Sequence, residues 1–197
     1  VNHELRNRVK IELFQPDNLF KEYVLWNLKV LTPSILFKRE FLLAKKLFNL
    51  TLTRGQESEF FSRLFFKIEI DKFNIVNDPL FLYRHHEESK TQENNAYVKS
   101  FKFSQTFIAV ENFNKALELD DSELLNYYYR ALLNYYFLAL ENQHFDNADY
   151  ILKEFFPILK KVNYILSLKF KIVANIFKLF GRSSYFVERY FKSHEIK

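Results

Sequence analysis

Gly55-Gln56-Glu57-Ser58-Glu59-Phe60-Phe61-Ser62-Arg63-Leu64 decides how the first half of this chain is read. A glycine is followed by two carboxylates, then by apolar residues at helical spacing, which marks the start of an α-helix. Phe60, Leu64 and Lys67 share a face, and Phe61, Phe65 and Ile68 extend it. Short apolar runs lie around this helix. Val9–Phe14, Ile35–Phe37, Phe73–Val76 and Leu80–Tyr83 read as strands, the last two joined by a turn at Asn77-Asp78-Pro79. Pro16-Asp17-Asn18 opens a helix over Leu19–Leu28, and Lys38–Leu47 has helical spacing. The expected fold is therefore α/β up to residue 92.

From Glu93 onward the pattern is helical throughout, with helices expected over 94–118, 121–142, 145–156 and 158–180. Asp120-Asp121-Ser122-Glu123 supplies N-cap chemistry and an acidic first turn for the second of these, and Asp146-Asn147 does so for the third. The sections are 1–92, 93–156 and a basic amphipathic tail, 157–197. No low-complexity linker separates them, so they are expected to pack together.

The composition excludes several kinds of chemistry. With no cysteine there is no disulfide framework, thiol nucleophile or thiolate zinc site. Two glycines, Gly55 and Gly181, are too few for a glycine-rich phosphate loop. Phe and Tyr are abundant, at 24 and 12. The net charge of +5 is uneven: residues 157–197 hold nine Lys or Arg against two Glu, whereas residues 100–156 hold four against nine acidic residues. The polar residues 1–12 do not form a signal peptide, and no apolar run is long enough to span a bilayer. The chain starts at Val1 and contains no Met, as a fragment or processed piece would.

Four pieces in fixed order carry a family resemblance. They are Thr32-Pro33-Ser34-Ile35-Leu36-Phe37-Lys38-Arg39-Glu40-Phe41-Leu42, Phe48-Asn49, Gly55-Gln56-Glu57, and Tyr83-Arg84-His85-His86-Glu87-Glu88-Ser89-Lys90-Thr91. Together, over roughly residues 20–95, they resemble the second half of family 2 glycosyltransferases, inverting enzymes of the GT-A fold. The resemblance implies a partial GT-A, Rossmann-like half followed by a helical extension. It also implies transfer of a sugar from a nucleoside diphosphate sugar to a hydroxyl of a glycan or lipid-linked acceptor, as in cell-surface polysaccharide synthesis.

The family's acidic motif ends in a catalytic carboxylate, whose place falls here on Glu57. An acceptor hydroxyl must lose its proton as it attacks the anomeric carbon, which calls for such a base. Glu in place of the family's usual Asp adds a methylene. The same residues also suit the positive end of a helix with no catalytic role. The resemblance places Gly55, Gln56, Ser34 and Trp26 on the acceptor side. Trp26, the sole tryptophan, is either a sugar-stacking platform or a core residue, and its bulk favours the core. His86 falls at the family's histidine beside a divalent metal (Mg or Mn) and the diphosphate, with Arg84 and Ser89 as further diphosphate contacts. His86 and its neighbours also read as an ordinary exposed loop. Arg39 and Arg63 read as structural ion-pair partners of nearby carboxylates.

The chain has no Asp-x-Asp motif, so the resemblance implies that the donor-binding half lies upstream and that the isolated chain is inactive.

Two other readings come from the second half. Ala109, Phe113 and Ala116 before Leu117-Glu118-Leu119-Asp120 resemble one helix of a tetratricopeptide repeat, which implies a non-catalytic helical interaction module. In the tail, Ile158, Val162, Ile165, Leu166, Ile172 and Val173 begin one broad apolar stripe that Ile176, Phe177 and Phe180 continue, with lysines toward another face. Such a helix either packs on its neighbours or lies on an anionic membrane through residues 158–192. No nucleic-acid-binding motif accompanies the basic residues, so nucleic acid is not an expected partner. The expected location is cytoplasmic, peripheral on the inner face of the membrane.

Overall fold

A computed structural model of the chain describes residues 16–76, 97–180 and 183–196. Nine α-helices lie among these residues: α1 (Leu19–Val24), α2 (Arg39–Leu43), α3 (Gln56–Phe65), α4 (Lys99–Leu119), α5 (Ser122–Glu141), α6 (Phe145–Glu154), α7 (Phe156–Val162), α8 (Tyr164–Phe180) and α9 (Tyr185–Lys192). Short 3-10 turns occupy Thr32–Ser34 and Ile70–Lys72.

The α/β expectation is overturned: the described residues form helices and connecting loops, with no strand and no sheet. Ile35–Phe37 shows the physical reason. Its backbone is extended at Ile35 (φ −120°, ψ 135°), but Leu36 is 99% exposed and no neighbouring strand pairs with it. Phe37 instead turns its ring onto Phe41, Phe60 and Phe61. A strand needs a ladder partner, and here the neighbours are helices. Phe73–Val76 is likewise irregular. The expected strands at Val9–Phe14 and Leu80–Tyr83 and the turn at 77–79 lie outside the described residues.

Local signals set the helix ends. Asn18 caps α1, its side chain accepting from the Lys21 amide at 3.0 Å. That helix stops at Val24, short of the expected Leu28, and Trp26 follows in the left-handed region at φ 66°. The helix expected over 38–47 is confined to Arg39–Leu43. Asp121 caps α5 through the Leu124 amide at 3.0 Å, after Asp120 closes α4 with φ 57°. The cap expected at Asp146-Asn147 does not form. Helix α6 does start at the expected Phe145, with His144 at its N-cap and Asp146 in an acidic first turn, but Asn147 is buried, donating to Thr106 Oγ1 at 3.0 Å. The tail helix expected over 158–180 is two helices, broken at Asn163, whose side chain caps α8 through the Leu166 amide at 3.0 Å.

Helix α4 packs on α5, α6 and α3, while α7 packs on α8 and α9 on α5. Ala109, Phe113 and Ala116 are buried in the core beside α5 and α6, with Phe113 edge-on to Phe155. The core is rich in aromatic residues: Tyr129, Tyr136, Phe137, Phe155, Phe170 and Phe191 are essentially inaccessible. Each such ring contributes about 1.5–3 kcal/mol on burial, and edge-to-face pairs such as Tyr136–Phe170 (5.2 Å) add to that. Two of the buried phenols are satisfied by backbone: Tyr129 donates to Phe191 O at 3.0 Å and Tyr136 to Ala174 O at 3.1 Å, tying α9 and α8 to α5. Among the described residues one cluster of buried side chains includes both Leu19 and Ile196, so the described parts of the expected sections share one interior.

Candidate functional site

The site grows from the N-terminus of α3. Gly55 is its N-cap in the left-handed conformation (φ 77°), which glycine adopts without Cβ strain. A Cβ there would come within 2.9 Å of Ile108 Cδ1, so this glycine lets the start of α3 lie close against α4. Glu57, in the first turn, is exposed to solvent. Its Oε1 accepts a hydrogen bond from the Thr32 hydroxyl, which joins the Thr-Pro-Ser and Gly-Gln-Glu segments in one place.

Tyr23, from α1, lies beside this pair. Its phenol is pushed up to about 12, chiefly by burial; the Glu57 charge adds to this and a hydrogen bond from Ser58 opposes it. It stays a neutral phenol across the physiological range, and its ring lies edge-on to Phe61 and Phe65. Trp26 is attached to the same turn, its amide donating to Tyr23 O at 3.1 Å. It is 66% exposed, so the core assignment for this tryptophan fails and its ring faces solvent.

Two other sequence candidates are occupied locally. The Ser34 hydroxyl accepts from the Leu31 amide (3.0 Å) and donates to Leu31 O (2.7 Å), closing its own 3-10 turn. Gln56 Nε2 donates to Leu52 O at 2.7 Å. Arg63 is structural, as expected, with Glu59 as its partner. Its Nε and Nη2 hold the buried Glu59 carboxylate at 2.7 and 3.1 Å, while Nη1 and Nη2 donate to Lys46 O and Leu47 O. Arg63 thereby ties the 44–50 loop to α3 and fixes one side of the site. Arg84, His86 and Ser89 lie outside the described residues. No group of three or more His, Cys, Asp or Glu side chains suited to a metal ion occurs among the described residues.

The arrangement therefore brings together Glu57, Thr32 and Tyr23, with the Trp26 backbone tied to Tyr23. Sequence reasoning had Glu57 and the Thr-Pro-Ser segment but missed Tyr23, whose aromatic-helical context looks like ordinary core. Comparison with protein-family models, with curated proteins and with solved structures finds no match.

Proposed function

We propose that this chain carries the acceptor side of a sugar-transfer site, in which Glu57 is the general base. The acceptor hydroxyl of a glycan or lipid-linked substrate gives its proton to Glu57 as its oxygen attacks the anomeric carbon of a nucleoside diphosphate sugar. The bond from that carbon to the diphosphate oxygen breaks, the nucleoside diphosphate leaves with the electron pair, and the configuration inverts. The observation that carries this reading is the Thr32–Glu57 hydrogen bond: an exposed carboxylate at a helix N-terminus already accepts from a hydroxyl, as the base in this reaction must. The exposed Trp26 ring supplies an apolar face of the kind on which sugar rings stack.

The four-piece resemblance to family 2 glycosyltransferases suggests the same chemistry, although the GT-A half it implied is not the fold of the described residues. A divalent metal and the residues Arg84, His86 and Ser89 belong to the leaving-group side of that proposal. Among the described residues no three His, Cys, Asp or Glu side chains are grouped to hold that metal.

The test uses the full-length protein with a panel of nucleoside diphosphate sugars and glycan or lipid-linked acceptors, reading acceptor-dependent nucleoside diphosphate release. Glu57→Gln is expected to lower turnover about 10²–10⁴-fold while donor binding stays nearly intact. Unchanged turnover in Glu57→Gln removes Glu57 as base. Absence of transfer from every donor, with the fold intact, overturns the reading and leaves the helical interaction module in its place.

A further inference from the structure

Helix α8 has two apolar faces, and among the described residues only one of them is covered. Leu166, Phe170 and Ala174 are buried against the bundle, with Val173 and Phe177 packed beside them. On the opposite side, Ile165, Leu168, Ile172, Ile176 and Leu179 are exposed at spacings of three and four residues, which places them in a single line. At the helical rise this line is about 21 Å long. Phe180 extends it, and Phe186 and Tyr190 of α9 lie across a groove of about 430 Å³ whose walls include Ile172 and Val173. Leu179 (84% exposed) and Phe186 (81%) stand furthest out. An exposed apolar surface of this extent marks a contact site.

The charges around the stripe identify what it meets. Lys171 falls along one edge of α8 and Lys169 along the other, with Lys160 and Lys161 on α7. Lys171 and Lys160 hold their ammonium groups over the Phe156 and Tyr164 rings, at 5.5 and 5.8 Å from the ring centroids, and both residues are exposed. Lys169 bonds the Tyr190 hydroxyl at 2.8 Å. Lys178 is held by Asp149 at 2.7 Å. Residues 157–197 carry nine Lys or Arg against two Glu. Tyr164, Tyr185 and Tyr190 are exposed at the margins, the position amphipathic aromatics take at a headgroup boundary. No described helix is long and apolar enough to cross a membrane, so this one is suited to lie along its surface.

We propose that the outer face of α8 with Phe186 and Tyr190 of α9 docks on an anionic lipid bilayer. The apolar stripe enters the headgroup–acyl boundary and the flanking lysines meet lipid phosphates and carboxylates. This rests on the tail alone and is independent of the sugar-transfer reading.

The test is co-sedimentation of the 197-residue chain with phosphatidylcholine vesicles, with and without phosphatidylserine, alongside its sedimentation behaviour in vesicle-free buffer. Binding is expected to be at least about tenfold stronger to the anionic vesicles and to weaken as salt is raised. The doubly exposed variant Leu179→Ser/Phe186→Ser is expected to lose binding at least about tenfold with its circular dichroism and melting temperature unchanged, because neither side chain is in the core. A charge variant, Lys160→Glu/Lys171→Glu, is expected to lose the preference for phosphatidylserine and supplies an independent arm. Failure to bind either vesicle overturns the proposal, as does binding that neither variant reduces. Self-association without vesicle binding, abolished by Leu179→Ser/Phe186→Ser, also overturns it and assigns the face to a second copy of the chain.

Discussion

The Thr32 hydroxyl donates to the Glu57 carboxylate across 25 residues of sequence, fixing one oxygen of an exposed side chain. If Glu57 is a base, Thr32 is a positioning residue. A hydrogen bond to a charged group contributes about 1.5–3 kcal/mol, so losing it costs at most about 10–100-fold in rate. Thr32→Val in the full-length protein is therefore expected to lower turnover less than Glu57→Gln, with Thr32→Ser restoring it. Because Thr32 is exposed, stability should move by no more than about 0.5 kcal/mol. Steady-state kinetics of the three variants decides this: Thr32→Val indistinguishable from the parent in kcat and pH profile removes Thr32 from the site.

Gly55 is required by backbone geometry. Its φ of 77° disfavours any residue with a Cβ by about 1–2 kcal/mol. The atom a methyl would meet, Ile108 Cδ1, is the mobile end of a side chain and can shift at small cost. Gly55→Ala is thus expected to destabilise by about 1–2 kcal/mol in urea unfolding without changing helix content. A variant as stable as the parent would show that α3 can start without this conformation.

Arg63 holds the buried Glu59 with two nitrogens and two loop carbonyls as well. Removing it leaves a buried carboxylate unpaired, and Arg63→Ala is expected to cost about 3 kcal/mol. Arg63→Lys keeps the charge but not the fork, so it should recover only part of that loss. Equilibrium unfolding of Arg63→Ala, Glu59→Gln and the double variant measures the coupling. Additive losses would mean the pair does not act as a unit.

Much of the helical architecture is legible because its signals are local. Asn18, Gly55 and Asp121 each announce a helix start through a side chain or backbone property contained within four residues. The failed strands have no such signal. Ile35–Phe37 and Phe73–Val76 are short and apolar, and whether such runs pair depends on partners far away in sequence. The tail misleads for a related reason. Periodicity shows that apolar positions surround much of α8, but not which side the bundle will cover; Leu166 and Ile165 are adjacent in sequence, yet one is buried and the other exposed. In the candidate site, Glu57 is visible through its glycine and its motif. The exposure of Trp26 is not, because it follows from a left-handed turn that this residue type rarely adopts.

Lys115 makes the alkaline limb of stability a sharp test of the core between α3 and α4. Burial lowers its ammonium to about 8; Glu111 and Glu59 oppose the shift and Arg63 adds to it. The ammonium reaches Asn112 Oδ1 at 3.1 Å and Ser62 Oγ at 3.4 Å and lies over the Phe20 ring. Between about pH 8 and 10.5 the unfolded chain holds a proton on this residue that the folded chain has released, so stability rises with pH by on the order of 2–3 kcal/mol. The tyrosines act in the opposite sense. Burial raises Tyr23 and Tyr150 to about 12 and holds Tyr128, Tyr129, Tyr135 and Tyr136 above their usual value of 10.0. Above pH 10 the unfolded chain loses these protons first, and stability falls. Unfolding free energy measured in urea across this range should pass through a maximum near pH 9–10. Lys115→Met removes the charged group that burial penalises, so it should be more stable than the parent at pH 7.5 and flatten the rising limb while leaving the fall above pH 10. A rising limb that persists in Lys115→Met would assign it to another group.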